Sequence, residues 1–298
     1  MNLFDQLVTE ALHTSPDNAS LRMVVEKELL HHDILREMSH AGLLEKLTFI
    51  GGTCLRACYG SRRLSEDLDF TGGSDFSSDQ LSGLGAVLKD RLLVKYGLPV
   101  EVSEPTRDAG NVATWKMKII TRPDQRTMPT QRVHIDICAV PSYDRRPAML
   151  RNYYGIDMGT SGLILQAQSR EEILADKFIA LAFRPNRIKN RDLWDIVWLK
   201  QQGVALPLEL VLLKIADHQH NREDFLHLLN ERQQLVAVDQ ELNASFVHEM
   251  QRFLPIDIVS QTVENKDFWP YLTGVVSAEC RLITRFLKGD TESALFKM

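Results

Sequence analysis

The feature that most constrains the fold is a change of apolar periodicity near residue 165. Before it, several short segments alternate polar and apolar residues, which is the period of two expected for β-strands. From Ser169 onward the pattern is helical, with breaks at Pro185, 203–207, Pro255 and Pro270. The sequence therefore predicts an α+β domain over residues 1–165, followed by an all-helical domain over residues 166–298.

The local patterns also predict individual elements within the first domain. Helices are expected over 21–47, 54–59 and 80–95. Strands are expected over 47–50, 64–70, 99–103, 113–121 and 132–140. Residues 71–79 read as a loop, and 141–168 as an irregular region.

Composition excludes several classes of protein. The chain has 298 residues and a formal net charge of −5, which argues against a protein that coats nucleic acid non-specifically. Its four cysteines are too few for a disulfide framework and are expected to be reduced. No apolar run is long enough to span a membrane, and the first residues lack the pattern of a signal peptide. The sequence predicts a cytoplasmic protein that does not bind membranes.

Two acidic residues on one predicted strand form the first candidate site. Side chains two positions apart on a strand point to the same face, so Asp67 and Asp69 lie together. Paired carboxylates repel each other unless a cation lies between them. Mg²⁺ (or Mn²⁺) favours such oxygen ligands and keeps positions open for phosphate oxygens. Asp136, on a separate predicted strand, is the candidate third metal ligand.

The segment before this strand is a candidate phosphate-binding turn. Gly51 and Gly52 allow the backbone to approach phosphate closely, and the following helix begins with free N–H donors. Thr53 and Ser65 are candidates for contacts with the same phosphates, and Arg63 for balancing their charge. Plainer interpretations stay open, because an Asp-x-Asp pair is often a solvated polar surface and the two hydroxyls suit a helix cap or a turn.

A lysine on a later predicted helix is the third candidate. Lys177 lies on an apolar stripe, and Arg184 follows on the same face. A lysine in that position either extends its amine to solvent or meets an anion, and the phosphates of an NTP would be such an anion. In the next predicted helix, Asp192 is explained as a complement to the helix dipole and Asp195 as an ion-pair partner of Arg191.

At these residues the sequence resembles the AbiEii/AbiGii nucleotidyltransferase toxins, the toxin halves of type IV toxin–antitoxin systems within the DNA-polymerase-β-like superfamily. The similarity spans roughly residues 20–200. Its motifs are Val25-Glu26-Lys27-Glu28, Leu35-Arg36-Glu37-Met38, Phe49 to Leu55, Arg63 to Phe70, Lys177, Arg184 and Arg191-Asp192-x-x-Asp195. The last hundred residues match only in being helical.

The resemblance implies a polymerase-β-like mixed sheet with flanking helices, an NTP co-substrate and a divalent metal. It implies that Lys177 and either Asp192 or Asp195 act with Asp67 and Ser65; Asp192 is favoured as the essential acid, with Asp195 orienting its neighbours. It further implies the tRNA 3′ end as acceptor, a block of translation, and a cognate antitoxin as partner.

Two alternative functions stay open at this point. One is a small-molecule nucleotidyltransferase of the antibiotic-modifying kind, and the other is a non-catalytic binding module that keeps the fold. Basic clusters would suit an RNA end if they line one cleft, and nearby tyrosines could stack on bases. These residues are Arg62, Arg63, Arg145, Arg146, Arg151, Arg184, Arg187, Lys189 and Arg191, with Tyr143, Tyr153 and Tyr154.

Overall fold

The computed structural model describes residues 2–105, 111–123 and 130–289, and the chain forms two compact units. The first unit runs to Gln168 and also includes Phe253–Ile256. Within it, the Leu64 amide donates to the Phe253 carbonyl at 2.8 Å, a contact between distant parts of the chain that no local pattern indicates. The second unit begins at Ser169. The end of the predicted helical domain, 290–298, lies outside the described residues.

The first unit is built on a seven-stranded mixed sheet, which confirms the predicted fold class. The order across the sheet is β3-β4-β5-β2-β1-β7-β6. β2 is parallel to β5 and β1 is parallel to β7, whereas the other neighbours are antiparallel. The strands are β1 (Thr48–Ile50), β2 (Leu68–Thr71), β3 (Val100–Ser103), β4 (Val112–Ile119), β5 (Gln131–Cys138), β6 (Arg145–Met149) and β7 (Ile164–Gln168).

Alternation along β5 shows which face of the sheet is buried. Val133, Ile135 and Ile137 are fully buried. Gln131, which shares their face, donates through its side-chain amide to the carbonyl of Met23, at 3.2 Å. The apolar core therefore lies between this face and the helix that carries Met23.

The described α-helices of the first unit have identifiable signals at some of their ends. They are α1 (Leu3–Thr14), α2 (Arg22–His40), α3 (Gly51–Cys54, continued by a π-helical turn over Leu55–Tyr59) and α4 (Leu84–Tyr96). α1 has no counterpart among the predicted elements, and Asn2 caps it by accepting from the Asp5 amide at 2.8 Å. The helix predicted over 21–47 ends at His40, because Gly42 takes a left-handed φ of 71°.

Two further differences from the predicted elements concern the strands. β6 and β7 lie in the region expected to be irregular; β6 is a mostly exposed edge strand containing Pro147, so its sequence shows no alternation. The strand predicted over 64–70 begins only at Leu68. Asp67 therefore stands at the end of the preceding loop.

In the second unit, every regular element among the described residues is helical, as predicted. Ser169, Asn221 and Asp239 cap the helices that follow them. Pro270 does not break a helix but lies in the first turn of one, where a missing N–H has no cost. The helices are α5 (Arg170–Phe183), α6 (Asn190–Gln201), α7 (Leu208–Asp217), α8 (Arg222–Val238), α9 (Gln240–Met250), α10 (Ile256–Ile258, with a π-helical turn over Val259–Val263) and α11 (Phe268–Lys288).

None of the helices that the structure describes has both the length and the apolar character needed to cross a membrane.

Candidate active site

Three predicted carboxylates share one face of the first unit's sheet. Asp69 and Asp136 are in register on the neighbouring parallel strands β2 and β5, which places their backbones about 4.8 Å apart. Both alternate with fully buried apolar residues, so both side chains project from the opposite face. Asp67 immediately precedes β2 on the same side, and its Oδ1 accepts from the His134 amide at 3.1 Å.

The chemistry of this acidic face fits a divalent cation that also contacts substrate. Oδ1 of Asp136 is buried and makes no hydrogen bond, so one carboxylate oxygen lacks a partner. Among the described residues, no group of three or more His, Cys, Asp or Glu side chains is placed so that it could hold a metal ion. Mg²⁺ does not need such a group, because it is usually held by one or two carboxylates together with phosphate oxygens and water.

The first glycine of the candidate phosphate-binding turn lies directly against this face. Ile50, the residue before the turn, pairs with Asp69 in the β1–β2 register. Gly51 has a left-handed φ of 74°, and a Cβ added there would lie 3.0 Å from Oδ2 of Asp69. Only glycine fits that position without strain or displacement of the carboxylate. The structure thus brings Gly51 and Asp69 together, and Gly52 follows as a buried residue of α3.

Thr53 and Ser65 form a buried hydroxyl pair behind the acidic face. Oγ1 of Thr53 lies 2.7 Å from Oγ of Ser65 and also hydrogen-bonds to the Asp67 carbonyl. A carbonyl only accepts, so Thr53 donates to Asp67, and Ser65 donates to Thr53. Thr53 and Ser65 are only 3% and 5% exposed. Their hydroxyls hold the backbone of Asp67 in place. Their direct contact with phosphate stays a prediction.

Helix α2 fixes the loop that carries Asp67. Nζ of Lys27 lies 2.7 Å from Oε1 of Glu66, and Nε2 of His31 lies 3.0 Å from the Glu66 carbonyl. Sequence reasoning did not assign these three residues to the site. Lys27 and Glu66 belong to the motifs named above, but a contact between a helix and a distant loop leaves no local signal.

His134 is a further residue that the sequence analysis missed. Its Nδ1 lies 3.7 Å from Oδ1 of Asp67, and its side chain is 42% exposed. It lies two residues before Asp136 on β5 and therefore on the same face, so the period of two that selected Asp136 also indicates His134.

Three of the predicted basic and aromatic candidates of the first unit contact backbone carbonyls, whereas Arg62, Tyr143, Arg145 and Arg146 are exposed. Arg63 is 3% exposed and its guanidinium donates to the Leu64 carbonyl at 3.0 Å, so its phosphate role stays a prediction. Arg151 donates to the Cys58 carbonyl at 3.1 Å. The hydroxyl of Tyr153 donates to the Arg56 carbonyl at 2.6 Å.

The second unit contains a buried cluster built on Lys177. Its Nζ lies 2.6 Å from Oδ1 of Asp192 and 2.7 Å from Oδ2 of Asp195. Nη2 of Arg184 lies 3.1 Å from the other oxygen of Asp192. Lys177 therefore meets anions, as one of the two sequence interpretations required, and the structure brings four of the predicted site residues together.

Charge in this cluster keeps Asp192 ionised. Burial alone would raise the pKa of its carboxyl, but Lys177, Lys189 and Arg184 hold that pKa well below its ordinary value. α6 begins at Asn190, and Lys189 is at its N-cap. Asp192 is thus in the first helical turn, where the helix dipole also favours a negative charge.

The family model described as nucleotidyl transferase AbiEii toxin, type IV toxin–antitoxin system, matches residues 33–269. The chain belongs to the AbiEii family. It is therefore a nucleotidyltransferase of a toxin family, which implies an NTP substrate and an antitoxin partner. No curated protein matches the chain.

Solved structures resemble this AbiEii-family chain at low sequence identity. MenT4, a nucleotidyltransferase toxin of Mycobacterium tuberculosis, is 15% identical with a TM-score of 0.52, over 96% of this chain and 98% of its own length. JHP933 of Helicobacter pylori is 17% identical with a TM-score of 0.48, over 91% of this chain and 95% of that one. The likeness to MenT4 shows a shared fold.

Proposed function

We propose that this AbiEii-family chain transfers nucleotides from an NTP to the 3′ end of tRNA and thereby blocks translation. The observation that carries the proposal is the juxtaposition of Asp69, Asp136 and Gly51: two carboxylates in register beside a turn that admits only glycine. Carboxylates beside a backbone turn with space for phosphate suit nucleotidyl transfer.

The transfer forms a bond between an acceptor hydroxyl oxygen and the α-phosphorus of the NTP and breaks the bond between that phosphorus and the α–β bridging oxygen. Pyrophosphate leaves, and the hydroxyl proton passes to solvent. Two carboxylates of the set Asp67, Asp69 and Asp136 would hold Mg²⁺ (or Mn²⁺), which when bound neutralises phosphate charge and makes the acceptor hydroxyl more acidic. Thr53, through the Asp67 carbonyl, keeps the first of these carboxylates oriented. Because Gly51 has no Cβ, the Asp69 carboxylate keeps its position.

The proposal also gives the Lys177 cluster, which lies within the second unit, a role toward phosphate. The Lys177 ammonium and the Arg184 guanidinium offset negative charge on the phosphates. Asp192 contacts both cations and Asp195 contacts Lys177, so the two acids hold the cations in place.

The test uses purified protein, total RNA, Mg²⁺ and each labelled NTP in turn. Label in the tRNA fraction supports the proposal, and the variants Asp67→Asn and Lys177→Met should lose it. Exposed residues of α4 provide matched controls, Asp90→Asn and Lys89→Met, which should transfer nucleotides like the parent.

Other results would contradict the proposal in distinct ways. Label in small molecules but not in RNA would favour the small-molecule nucleotidyltransferase. Label in an RNA other than tRNA would refute the acceptor. Transfer that survives extraction of divalent metal by EDTA would refute the metal role.

A further inference from the structure

The second unit contains a pocket that the proposed chemistry does not use. Its volume is about 370 Å³, in the range of sites that bind small ligands. The segment from Asn186 to Arg191, at the start of α6, forms one wall. Residues of α8 and α9, among them Arg232, Leu235 and Leu242, form the others.

Asn190, a residue of the pocket wall, has an unsatisfied acceptor. Its Nδ2 donates to Oε2 of Glu249 and to Oγ of Ser245, both at 3.0 Å. The carboxylate fixes the orientation of the amide, because only the NH₂ group can donate to it. Oδ1 is then left buried without a hydrogen bond on a residue that is 3% exposed. A ligand with an N–H donor would satisfy it.

The charges that line the pocket match a single phosphodiester. The cationic side chains are those of Arg187, Lys189, Arg191 and Arg232, against the carboxylates of Asp239, Glu241 and Glu249. Arg191 pairs with Glu249 at 3.3 Å, and Arg232 donates to the Arg184 carbonyl at 3.0 Å. The formal charge summed over these seven lining residues is +1, which suits a phosphodiester better than the triphosphate of an NTP.

The pocket also has apolar walls against which a flat ring can lie. Ile188, Leu235 and Leu242 contribute side chains to the lining. A base packed between aliphatic groups, with its polar edge on an amide, is a common way of holding an unstacked nucleotide.

We propose that this pocket binds one unpaired nucleotide of the RNA acceptor, with its phosphate on Arg187 and the amino group of adenine or cytosine on Oδ1 of Asn190. The inference deepens the proposed function, since it takes RNA as the acceptor. The Arg232–Arg184 contact connects the pocket to Asp192, so the bound nucleotide lies beside the Lys177 cluster.

The test measures binding of labelled single-stranded tetranucleotides (C₄, A₄ and U₄ RNA) to the full chain by fluorescence anisotropy. We expect C₄ and A₄ to bind about tenfold more tightly than U₄, because cytosine and adenine offer an exocyclic amino group to Oδ1 of Asn190, whereas the N3–H of uracil lies between two carbonyl oxygens that Oδ1 repels. Arg187→Glu should weaken all three about tenfold and lower the salt dependence. Arg281→Glu, an exposed residue of α11, is the matched control and should bind like the parent.

A second variant tests the base contact. Asn190→Ala should remove the preference for C₄ and A₄ over U₄ while circular dichroism stays unchanged. If Asn190→Ala fails to fold, Arg187→Glu decides alone, since Arg187 is exposed and its side chain makes no ion pair among the described residues.

The experiments distinguish an incorrect pocket inference from an incorrect proposed function. If the parent extends RNA but Arg187→Glu binds tetranucleotides like Arg281→Glu, the pocket inference is overturned and the function stands. If the parent binds C₄ over U₄ yet transfers nothing to RNA, the pocket stands and the function fails. Displacement of C₄ by an equal concentration of inorganic phosphate would reduce the pocket to an anion site and overturn the nucleotide assignment.

Discussion

The hydroxyl of Thr53 hydrogen-bonds to the carbonyl of Asp67, and this contact ties the glycine turn to the acidic face of the sheet. Ser65 completes the arrangement by donating to Thr53. The position of the Asp67 carboxylate therefore depends on a residue that is itself buried. Thr53 is a positioning residue whose effect should appear in the rate of transfer.

Thr53→Val tests this relationship, because valine keeps the shape of threonine and removes its hydroxyl. We expect nucleotide transfer to fall about 10- to 100-fold, and the free energy of unfolding to fall by about 1–3 kcal/mol, since the Asp67 carbonyl and the Ser65 hydroxyl lose a buried partner. Thr53→Ser should restore most of the rate. Thr121→Val is the control: its hydroxyl is buried without a partner, so removing it should not destabilise the chain. A full rate in Thr53→Val would remove the positioning role.

Gly51→Ala tests the space beside Asp69. An alanine at this position would have to keep the left-handed φ of Gly51. Its Cβ would lie 3.0 Å from Oδ2 of Asp69, so the carboxylate must shift. Gly97→Ala is the matched control, because Gly97 has a φ of 67° with nothing within 4 Å of the added Cβ. Both variants should lose about 1 kcal/mol of unfolding free energy. Only Gly51→Ala should lose activity, by more than 100-fold in a labelled-NTP assay; equal activities would show that Asp69 tolerates displacement.

Asp192→Asn and Asp195→Asn distinguish the two acids that contact Lys177. The Asp195 side chain is fully buried and meets Lys177, whereas Asp192 is 6% exposed and also meets Arg184. We therefore expect kcat to fall further in Asp192→Asn, and both variants to lose about 1–3 kcal/mol of unfolding free energy.

The control for this pair is Asp176→Asn, which removes a partner of the buried Lys214 on the same unit. It should cost stability without the loss of kcat. A larger kcat effect in Asp195→Asn than in Asp192→Asn would reverse the assignment of the essential acid.

Local periodicity was sufficient to predict part of this site. Alternation selected Asp69 and Asp136 because side-chain direction on a strand depends only on neighbouring residues. The helical stripe likewise identified Lys177 as a lysine that needs either solvent or an anion. Its partners, Asp192 and Asp195, come from another helix, and only the resemblance to a family connected them in advance.

Features that depend on distant contacts were not predictable in the same way. The register that places Asp69 opposite Asp136 is set by the pairing of β2 with β5, which are far apart in sequence. The hydrogen bond from Thr53 to Asp67 crosses from a helix to a loop. The edge strand β6 was missed because it buries too little on either face to show an alternating pattern.

Because His32 is buried, we expect the free energy of unfolding to fall as the pH decreases below neutrality. Burial lowers the pKa of its imidazole from 6.5 to about 4, and its Nδ1 lies 2.9 Å from the Thr160 hydroxyl. Between pH 4 and pH 6.5 the imidazole binds a proton in the unfolded chain but not in the folded chain, so the free energy of unfolding rises with pH. The folded state should lose up to about 3 kcal/mol from this residue between pH 6.5 and pH 4.

Urea denaturation at a series of pH values checks this expectation with a variant pair. His32→Gln keeps a polar group for Thr160 but cannot bind the proton, so its free energy of unfolding should depend less steeply on pH between 6.5 and 4.5. His13→Gln, at an exposed histidine of α1, should keep the slope of the parent. Carboxylates add their own dependence mainly below pH 5, so the comparison is sharpest between pH 6.5 and 5. Identical slopes in His32→Gln and the parent would mean that His32 takes up its proton in the folded chain as readily as in the unfolded one.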